Sequence, residues 1–428
     1  MTEAGITPMP EIPPTSSQTV RYEFRAYPTI QQQSEFHRAS EGARVVFNGH
    51  LWMNGFGVYG PRLEYKKKFR SQAILVTGAK KTPEGRWLAD LPDTPLRQSV
   101  SDADGACQRF FQSVSNAGKH AIVNQPRYKS PNAPHQAIRF AKSDIELTRI
   151  SASRAVLRLP KRLGLWSIRL SRDLPARPSS VTIIKRADGQ YFASFVVVRQ
   201  TELLPQITRW AGVDLGLTDL VSVVYSDGTR EKVPAPAYLQ QARKKIAVAK
   251  SQVTRAQSDS KNHEKLRLKL ASIHREVGDR RADHHHKLAH RLVNSNQVIA
   301  FETLDIVEMA HDHFKKAVDD AGWGTLIKLV GHKAERYGRK VIQIDRYEPT
   351  TQTCAPCGVR NGPKDLSIRE WRCSNCDVLL DRDFNAAVNV LVAAGCAETL
   401  NASGRALRIL LARAVPKAGT SGGVTAGP

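Results

Sequence analysis

Three carboxylate residues, far apart along the chain, occupy positions where an acid costs free energy unless its charge is compensated. Asp214 interrupts a short apolar run, Glu302 ends another, and Asp383 lies at the start of the last apolar helical segment. Converging acids repel one another, and divalent cations are their natural counter-charge. Two Mg²⁺ ions about 4 Å apart can activate a water and stabilise the leaving oxygen in phosphodiester hydrolysis. The three residue types therefore suit a nuclease.

Each acid taken alone also has a structural interpretation. Asp214 could be a turn residue, Glu302 a surface charge at a strand end, and Asp383 a helix N-cap. Asp381 competes with Asp383 as the third acid, and spacing alone does not separate the two. The order of the surrounding elements favours the catalytic interpretation for the set.

Four of the six cysteines form two Cys-x2-Cys pairs with fifteen residues between them, and Gly358 follows the first pair. Four thiolates at this spacing predict one tetrahedral, structural Zn²⁺. Six cysteines in 428 residues are too few for a disulfide scaffold, and we expect the other two, Cys107 and Cys396, to be buried apolar residues. The predicted zinc ligands are Cys354, Cys357, Cys373 and Cys376.

Three consecutive histidines, residues 284–286, resemble a metal cluster. Successive residues of a helix point about 100° apart, so the three rings cannot converge on one ion. We expect them on a helix surface.

The chain is strongly basic, with 64 Lys and Arg against 40 Asp and Glu and a formal net charge of +24. Basic surfaces release condensed counterions when they bind phosphates, so this charge predicts a nucleic-acid partner. No apolar run is long enough to span a bilayer, which excludes a membrane protein. The first 20 residues contain four prolines and no apolar segment after a basic start. They predict a flexible leader on a cytoplasmic protein.

These acids and cysteines must be positioned by the second half of the chain. The pattern predicts strands at 211–215 and 220–225, a third after the turn at 226–229, and a long basic helical region at 236–296. A strand at 298–301, a helix at 320–337, a strand at 341–344 and a final helix follow. This order is that of a ribonuclease H-like fold.

The first half predicts a β domain interrupted by helices. A strand at 20–27 precedes a helix that begins after the capping box of Thr29 and Gln32, and a helical insertion with a basic run at 66–70 follows. Strand patterns resume near Ile145, and a hairpin joins 181–184 to 191–198.

Taken together, these motifs resemble the TnpB family of transposon-encoded, RNA-guided DNA endonucleases, from about residue 18 to 405. The motifs that carry the resemblance are Tyr27-Pro28-Thr29 with Gln33, Arg44 to Asn48, Gly212 to Gly216, the Glu302 strand, Asp320 to Gly324, the four-cysteine ribbon and Asp381 to Asn389. Two departures are visible: Leu380 stands where a polar residue often precedes Asp-Arg-Asp, and Asp377 replaces the glycine usual after the last cysteine.

The resemblance implies an α+β multidomain protein: a wedge β-barrel with a helical recognition insertion, then a RuvC-like nuclease domain with an inserted zinc ribbon. It also implies a guide RNA from the transposon end, a short transposon-adjacent motif read in double-stranded target DNA, and a catalytic trio of Asp214, Glu302 and Asp383 binding two Mg²⁺. The implied boundaries are leader 1–17, barrel 18–30 and 141–208, insertion 31–140, nuclease 209–349 and 380–405, ribbon 350–379 and flexible tail 406–428.

Two other functions fit the same motifs. An RNA-guided protein that occludes DNA without cutting it would share the fold, although such proteins typically lose active-site acids. A strand-transferring transposase would share the acids and need no guide RNA.

Overall fold

The computed structural model describes residues 17–56, 72–115, 123–131, 133–303, 315–365 and 367–395. Residues 1–16 of the expected leader, the basic run at 66–70, Cys396 and the expected tail lie outside them. Within these ranges the chain forms two compact units, which we call the N-terminal unit (17–199 and 257–272) and the C-terminal unit (200–256 and 273–395).

The N-terminal unit is built on one seven-stranded sheet, whose strand order is β2-β6-β7-β1-β5-β4-β3. Its inward side chains, among them Trp166 and Phe195, form one continuous apolar core. The strands are β1 (Ser17–Tyr27), β2 (Gln136–Ala141), β3 (Glu146–Ser151), β4 (Arg154–Leu159), β5 (Gly164–Arg169), β6 (Ser180–Lys185) and β7 (Tyr191–Gln200).

Helix α1 (Ile30–Met53) begins at the predicted capping box, where Thr29 and Gln32 exchange side-chain-to-backbone hydrogen bonds of 3.3 and 2.9 Å. Helices α2 (Gln72–Lys81) and α3 (Asp93–Ser115) follow it. Strand β2 begins earlier than the expected position near Ile145, because Ile138 and Phe140 alternate inward along its pairing with β6.

A five-stranded sheet of order β10-β9-β8-β11-β12 forms the centre of the C-terminal unit. The first three strands are antiparallel neighbours, whereas β11 runs parallel to both β8 and β12. The strands are β8 (Trp210–Leu215), β9 (Asp219–Tyr225), β10 (Arg230–Pro234), β11 (Val298–Glu302) and β12 (Lys340–Ile344). This meander followed by two parallel strands confirms the ribonuclease H-like topology predicted from the element order.

Helices cover both faces of this sheet. One face packs against α5 (Lys261–Ser295) and α7 (Trp323–Tyr337), and the other against α8 (Arg382–Ala393). Helix α4 (Tyr238–Arg255) precedes α5, and α6 (Lys315–Ala321) precedes α7. The segment expected to form one helix at 320–337 is interrupted at Gly322, whose φ of 63° lies in the left-handed region and separates α6 from α7.

The ribbon lies between β12 and α8 and contains a two-stranded antiparallel sheet of β13 (Glu370–Arg372) and β14 (Leu379–Asp381). The α+β class and the four-cysteine ribbon inserted ahead of the final helix are therefore as predicted. Among the described helices, none is long and apolar enough to cross a membrane.

The expectation that all three consecutive histidines lie on a helix surface is wrong for His285. Its side chain is buried against Gly322, and burial lowers the pKa of the ring to about 4. The cause is tertiary: the last turns of α5 pack on the sheet, so one residue of the three faces inward while His286 stays exposed.

Candidate metal and nuclease site

The alternation of side chains along two parallel strands places Asp214 and Glu302 on the sheet face that α8 covers. On β8, Ala211 and Val213 point into the core formed with α5 and α7, so Asp214 points to the opposite face. On β11, Phe301 points into that same core, and it pairs with Val213 in parallel register. Glu302 therefore lies beside Asp214 at the carboxyl end of adjacent strands.

Helix α8 brings the third acid to this face and separates the roles of the two aspartates near its start. Asp381 is the N-cap, and its Oδ1 accepts the backbone N–H groups of Asp383 and Phe384, each at 3.0 Å. Asp383 sits in the first turn, and its side chain takes no part in capping. The helix-capping role that the sequence allowed for Asp383 is therefore filled by Asp381.

The three acids act on one another electrostatically. Burial raises the pKa of Asp214 well above its usual value, and the nearby charges of Asp383 and Glu302 raise it further. Burial also raises the pKa of Glu302. A half-buried aspartate whose charge is opposed by two other carboxylates requires a positive counter-charge.

Two basic residues that no sequence motif marks contact the third acid, Asp383. The ammonium of Lys232, on β10, lies 2.9 Å from Asp381 Oδ2 and 3.1 Å from Asp383 Oδ2. Arg369, in the ribbon, places Nη1 3.8 Å from Asp383 Oδ1 and donates to Thr218. Burial lowers the pKa of Lys232, but the hydrogen bonds to the two aspartates outweigh it and leave the pKa raised.

The four cysteines of the ribbon converge, and their sulfur atoms all lie within 4.8 Å of one another. The Sγ atoms of Cys354 and Cys376 are 3.6 Å apart, as are those of Cys357 and Cys373. In the part of the chain that the structure describes, this is the one group of three or more possible metal ligands at such spacing. The carboxylates of Asp214, Glu302 and Asp383 do not form a group with such close spacing.

Each half of the ribbon makes the same turn after its second cysteine. The N–H of Gly358 donates to Cys354 O at 2.8 Å, and the N–H of Asp377 donates to Cys373 O at 2.9 Å. Asp377 has φ 57°, a left-handed conformation that explains why a glycine is usual there. The departure is therefore accommodated by the backbone without loss of a cysteine ligand.

Two asparagines of α8 attach the start of the ribbon to the helix that carries Asp383. Asn385 accepts the N–H of Ala355 at 2.8 Å and donates to Thr353 O at 2.8 Å. Asn389 donates to Thr350 O and Thr353 O at 2.8 and 2.7 Å. Both asparagines are buried, and their hydrogen bonds hold the start of the ribbon against the helix that carries Asp383.

The donor sets of the two clusters fit different metals. Tetrahedral Zn²⁺ with Zn–S bonds of about 2.3 Å requires sulfur separations of about 3.8 Å, close to those of the four thiols. Carboxylate oxygens instead suit hard cations such as Mg²⁺, and the unbalanced negative charge around Asp214 favours such a cation.

A ribonuclease H-like sheet with acids at its carboxyl end and a four-cysteine ribbon beside them defines a nuclease-type fold, and comparisons with known proteins identify its family. A family model described as Probable transposase matches residues 194–312, and a Cas12f1-like TNB domain matches residues 323–390. A Streptomyces pristinaespiralis protein named "Putative RNA-guided DNA endonuclease" is 32% identical over 375 residues, which cover 87% of this chain and 88% of that protein. The chain belongs to this family, the TnpB family of RNA-guided DNA endonucleases.

Other similarities extend over most of the chain as well. The Escherichia coli K12 relative InsQ, whose name also describes an RNA-guided DNA endonuclease, is 27% identical over 420 residues, covering 90% of this chain and 96% of that one. A solved structure of a Cas12f1-sgRNA-target DNA complex aligns with a TM-score of 0.49 and 12% identity, covering 88% of this chain and 98% of that chain.

Proposed function

We propose that this protein is an RNA-guided DNA endonuclease: it binds a guide RNA from the transposon end, recognises a short transposon-adjacent motif and hydrolyses target DNA. Family membership supports the guided endonuclease activity, because the relative that is similar over most of both chains is named for it. The single structural observation that carries the catalytic part is the placement of Asp214 and Glu302 at the carboxyl ends of adjacent parallel strands, on the sheet face covered by the helix that bears Asp383.

In this proposal the three acids hold two Mg²⁺ ions, and Asp214, Glu302 and Asp383 are the catalytic residues. Ions bound there would activate the attacking water and stabilise the leaving oxygen. The chain's own contribution is orientation: β8 and β11 fix two carboxylates on one face of the sheet, and the capped N-terminus of α8 fixes the third. Arg369, more than half exposed, is available to a phosphate at the same edge.

Four thiols of the ribbon hold one Zn²⁺ in a structural role. Cys354 and Cys373 are buried, and the small sheet of β13 and β14 has little apolar core besides the cysteines themselves. A metal centre therefore supplies the stability that packing does not. The proposed boundaries of the wedge, the insertion, the nuclease and the ribbon are those that the resemblance to the family implies.

The guide RNA and the target DNA are the partners that the charge requires. Helices α4 and α5 carry exposed basic side chains along much of their length, and α4 contains no acidic residue to balance them. The exposed basic residues of α4 are Arg243, Lys244, Lys245, Lys250 and Arg255. Phosphate contacts from such helices would be independent of sequence, which suits a protein that leaves sequence recognition to base pairing.

The decisive experiment compares Asp214→Ala with the wild type after loading with the copurified guide RNA. We expect the variant to lose Mg²⁺-dependent cleavage of a matching plasmid while retaining RNA-guided DNA binding in a gel-shift assay. Asp173→Ala, a change of an exposed aspartate in the N-terminal unit, is the matched control and should cut normally. Unchanged cutting by Asp214→Ala would remove this residue from the mechanism.

The same experiment separates the two other functions. Wild-type protein that binds its guided target but never cuts it would be an RNA-guided binding protein. Strand transfer by protein without any bound RNA would identify a transposase, and sequencing of the copurified RNA distinguishes these outcomes.

A further inference from the structure

Lys232 is a half-buried cation that contacts the third acid of the site from an edge strand of the sheet. It lies on β10, paired through the backbone with Ser222 of β9, and its side chain is 27% exposed. Its ammonium contacts Asp381 and Asp383 at 2.9 and 3.1 Å and lies 3.9 Å from Asp219 Oδ2. Three carboxylates therefore surround one lysine.

The two oxygens of Asp381 are fully engaged by these contacts. Oδ1 caps α8 through two backbone N–H groups, and Oδ2 accepts from Lys232. Asp383 differs, because one of its oxygens accepts from Lys232 while the other has Arg369 at 3.8 Å. The lysine thus anchors the capping aspartate and restrains the proposed metal ligand through a single oxygen.

We propose that Lys232 is a positioning residue of the acid site, which holds the Asp383 carboxylate in place and, as a fixed positive charge, weakens divalent-ion binding there. This inference rests on the proposed function of the trio, because it concerns the same site. The lysine restrains Asp383 before an ion arrives, and its charge opposes the ion at short range.

Two properties should consequently change in opposite directions when the charge is removed. Loss of one unit charge next to a carboxylate that would hold a divalent ion should make ion binding about tenfold tighter, even with water-like screening. Loss of the hydrogen bond to Asp383 leaves that carboxylate less well oriented, which slows cleavage at saturating Mg²⁺. A general loss of structure would weaken both properties together.

The test measures both properties in the full-length chain. Mn²⁺ binding to protein freed of nucleic acid but retaining its zinc is titrated by electron paramagnetic resonance, with Asp383→Asn marking the signal of the acid site. Cleavage is then measured with guide RNA and saturating Mg²⁺. We expect Lys232→Met to bind Mn²⁺ about tenfold more tightly and to cut at least several-fold more slowly.

Three further variants keep the test decisive. Lys232→Arg retains the charge and should bind Mn²⁺ as the wild type does. Lys232→Gln removes the charge but keeps a hydrogen-bond donor, and it replaces Lys232→Met if that protein does not fold. Lys340→Met, at the exposed start of β12, is the matched control and should change neither property.

Unchanged or weaker Mn²⁺ binding in either neutral variant, or an unchanged cleavage rate in Lys232→Met, overturns the proposal. Its failure is distinct from failure of the nuclease assignment: that assignment fails if Asp214→Ala still cuts, whatever Lys232 does to ion binding.

Discussion

The side-chain oxygen of Asn385 accepts a hydrogen bond from the backbone N–H of Ala355 at 2.8 Å. Ala355 lies between two predicted zinc ligands, Cys354 and Cys357, whereas Asn385 follows Asp383 by two residues on α8. One buried side chain therefore joins the ribbon to the helix that carries a proposed catalytic acid.

Asn385→Ala should destabilise both sites at once. The substitution leaves the buried N–H of Ala355 without this acceptor, at an expected cost of about 1–3 kcal/mol in free energy of unfolding. We expect a lower melting temperature, faster zinc release to a chelator and slower DNA cleavage. Asn294→Ala, an exposed change near the end of α5, is the control. Normal zinc retention in Asn385→Ala would show that the ribbon does not depend on this bond.

Gly212 allows α8 to approach β8 closely. A methyl group on Gly212 would overlap the carbonyl oxygen of Ala387 and come within 2.6 Å of Leu391 Cγ. Gly212→Ala should therefore push α8 outward, lower the free energy of unfolding by about 1–3 kcal/mol and reduce cleavage. Gly331→Ala, in α7, has no heavy atom within 4 Å of the added methyl and should be neutral or stabilising. Thermal melting of the two variants measures the difference.

The raised pKa of Asp214 makes the stability of the metal-free protein depend on pH. The folded state holds the Asp214 proton more tightly than the unfolded state, so this group stabilises the fold at low pH and progressively less as the pH rises above the unfolded pKa. Asp214→Asn has no such proton to lose. We expect the variant to gain stability relative to the wild type as the pH rises above the unfolded pKa, by about 1.4 kcal/mol per unit of pKa shift.

Thermal melting in a chelator that spares zinc, followed by melting in Mg²⁺, measures this effect. Mg²⁺ should restore the wild type at neutral pH and have little effect on Asp214→Asn. Parallel pH profiles for the two proteins without Mg²⁺ would contradict the half-buried position of Asp214 near two other carboxylates.

Loss of a single thiol should be enough to empty the ribbon of zinc. Burial opposes ionisation of Cys373, but backbone N–H groups of Cys376 and Asn375 and the amide of Asn361 lower its pKa to about 6, which favours the thiolate. Cys373→Ser should reduce zinc from one atom per chain towards zero and lower the folded yield. Cys107→Ala, at a buried cysteine of α3, should retain zinc. Atomic absorption on purified wild-type protein tests the premise, since wild-type zinc near zero refutes the site.

Binding of guide RNA and DNA should weaken steeply with salt. Each phosphate neutralised contributes about 0.7–0.9 to the slope of log affinity against log salt concentration. Lys244→Gln together with Lys245→Gln, on α4, should reduce the slope by up to about twice that amount. Lys340→Gln should leave it unchanged. A flat salt response of the wild type would argue against phosphate contacts.

Asp214 and Glu302 could be singled out from the sequence because each acid ends a run of apolar residues. An acid after four consecutive buried residues, as at Asp214 and Glu302, stands out from its surroundings, and the ribonuclease H order of elements indicated that the two strands would be neighbours. The spacing of the two Cys-x2-Cys pairs likewise predicted that the four cysteines would lie together.

The residues that escaped prediction depend on tertiary contacts. Lys232 sits among polar neighbours on an edge strand and has the local pattern of a solvated lysine, so its ion pairs become visible only once α8 is placed. Burial of His285 depends on which face of a largely polar helix meets the core. The break at Gly322 requires a backbone conformation that a continuous helical pattern conceals.

The order of the elements along the chain also has a consequence for synthesis of the protein. Asp214 and Glu302 emerge from the ribosome before α8, yet the sheet face they occupy is closed by that helix. A nascent chain stalled ahead of Asp383 would thus display two of the proposed catalytic acids without the third, and we expect such a chain to be unable to cut nearby DNA.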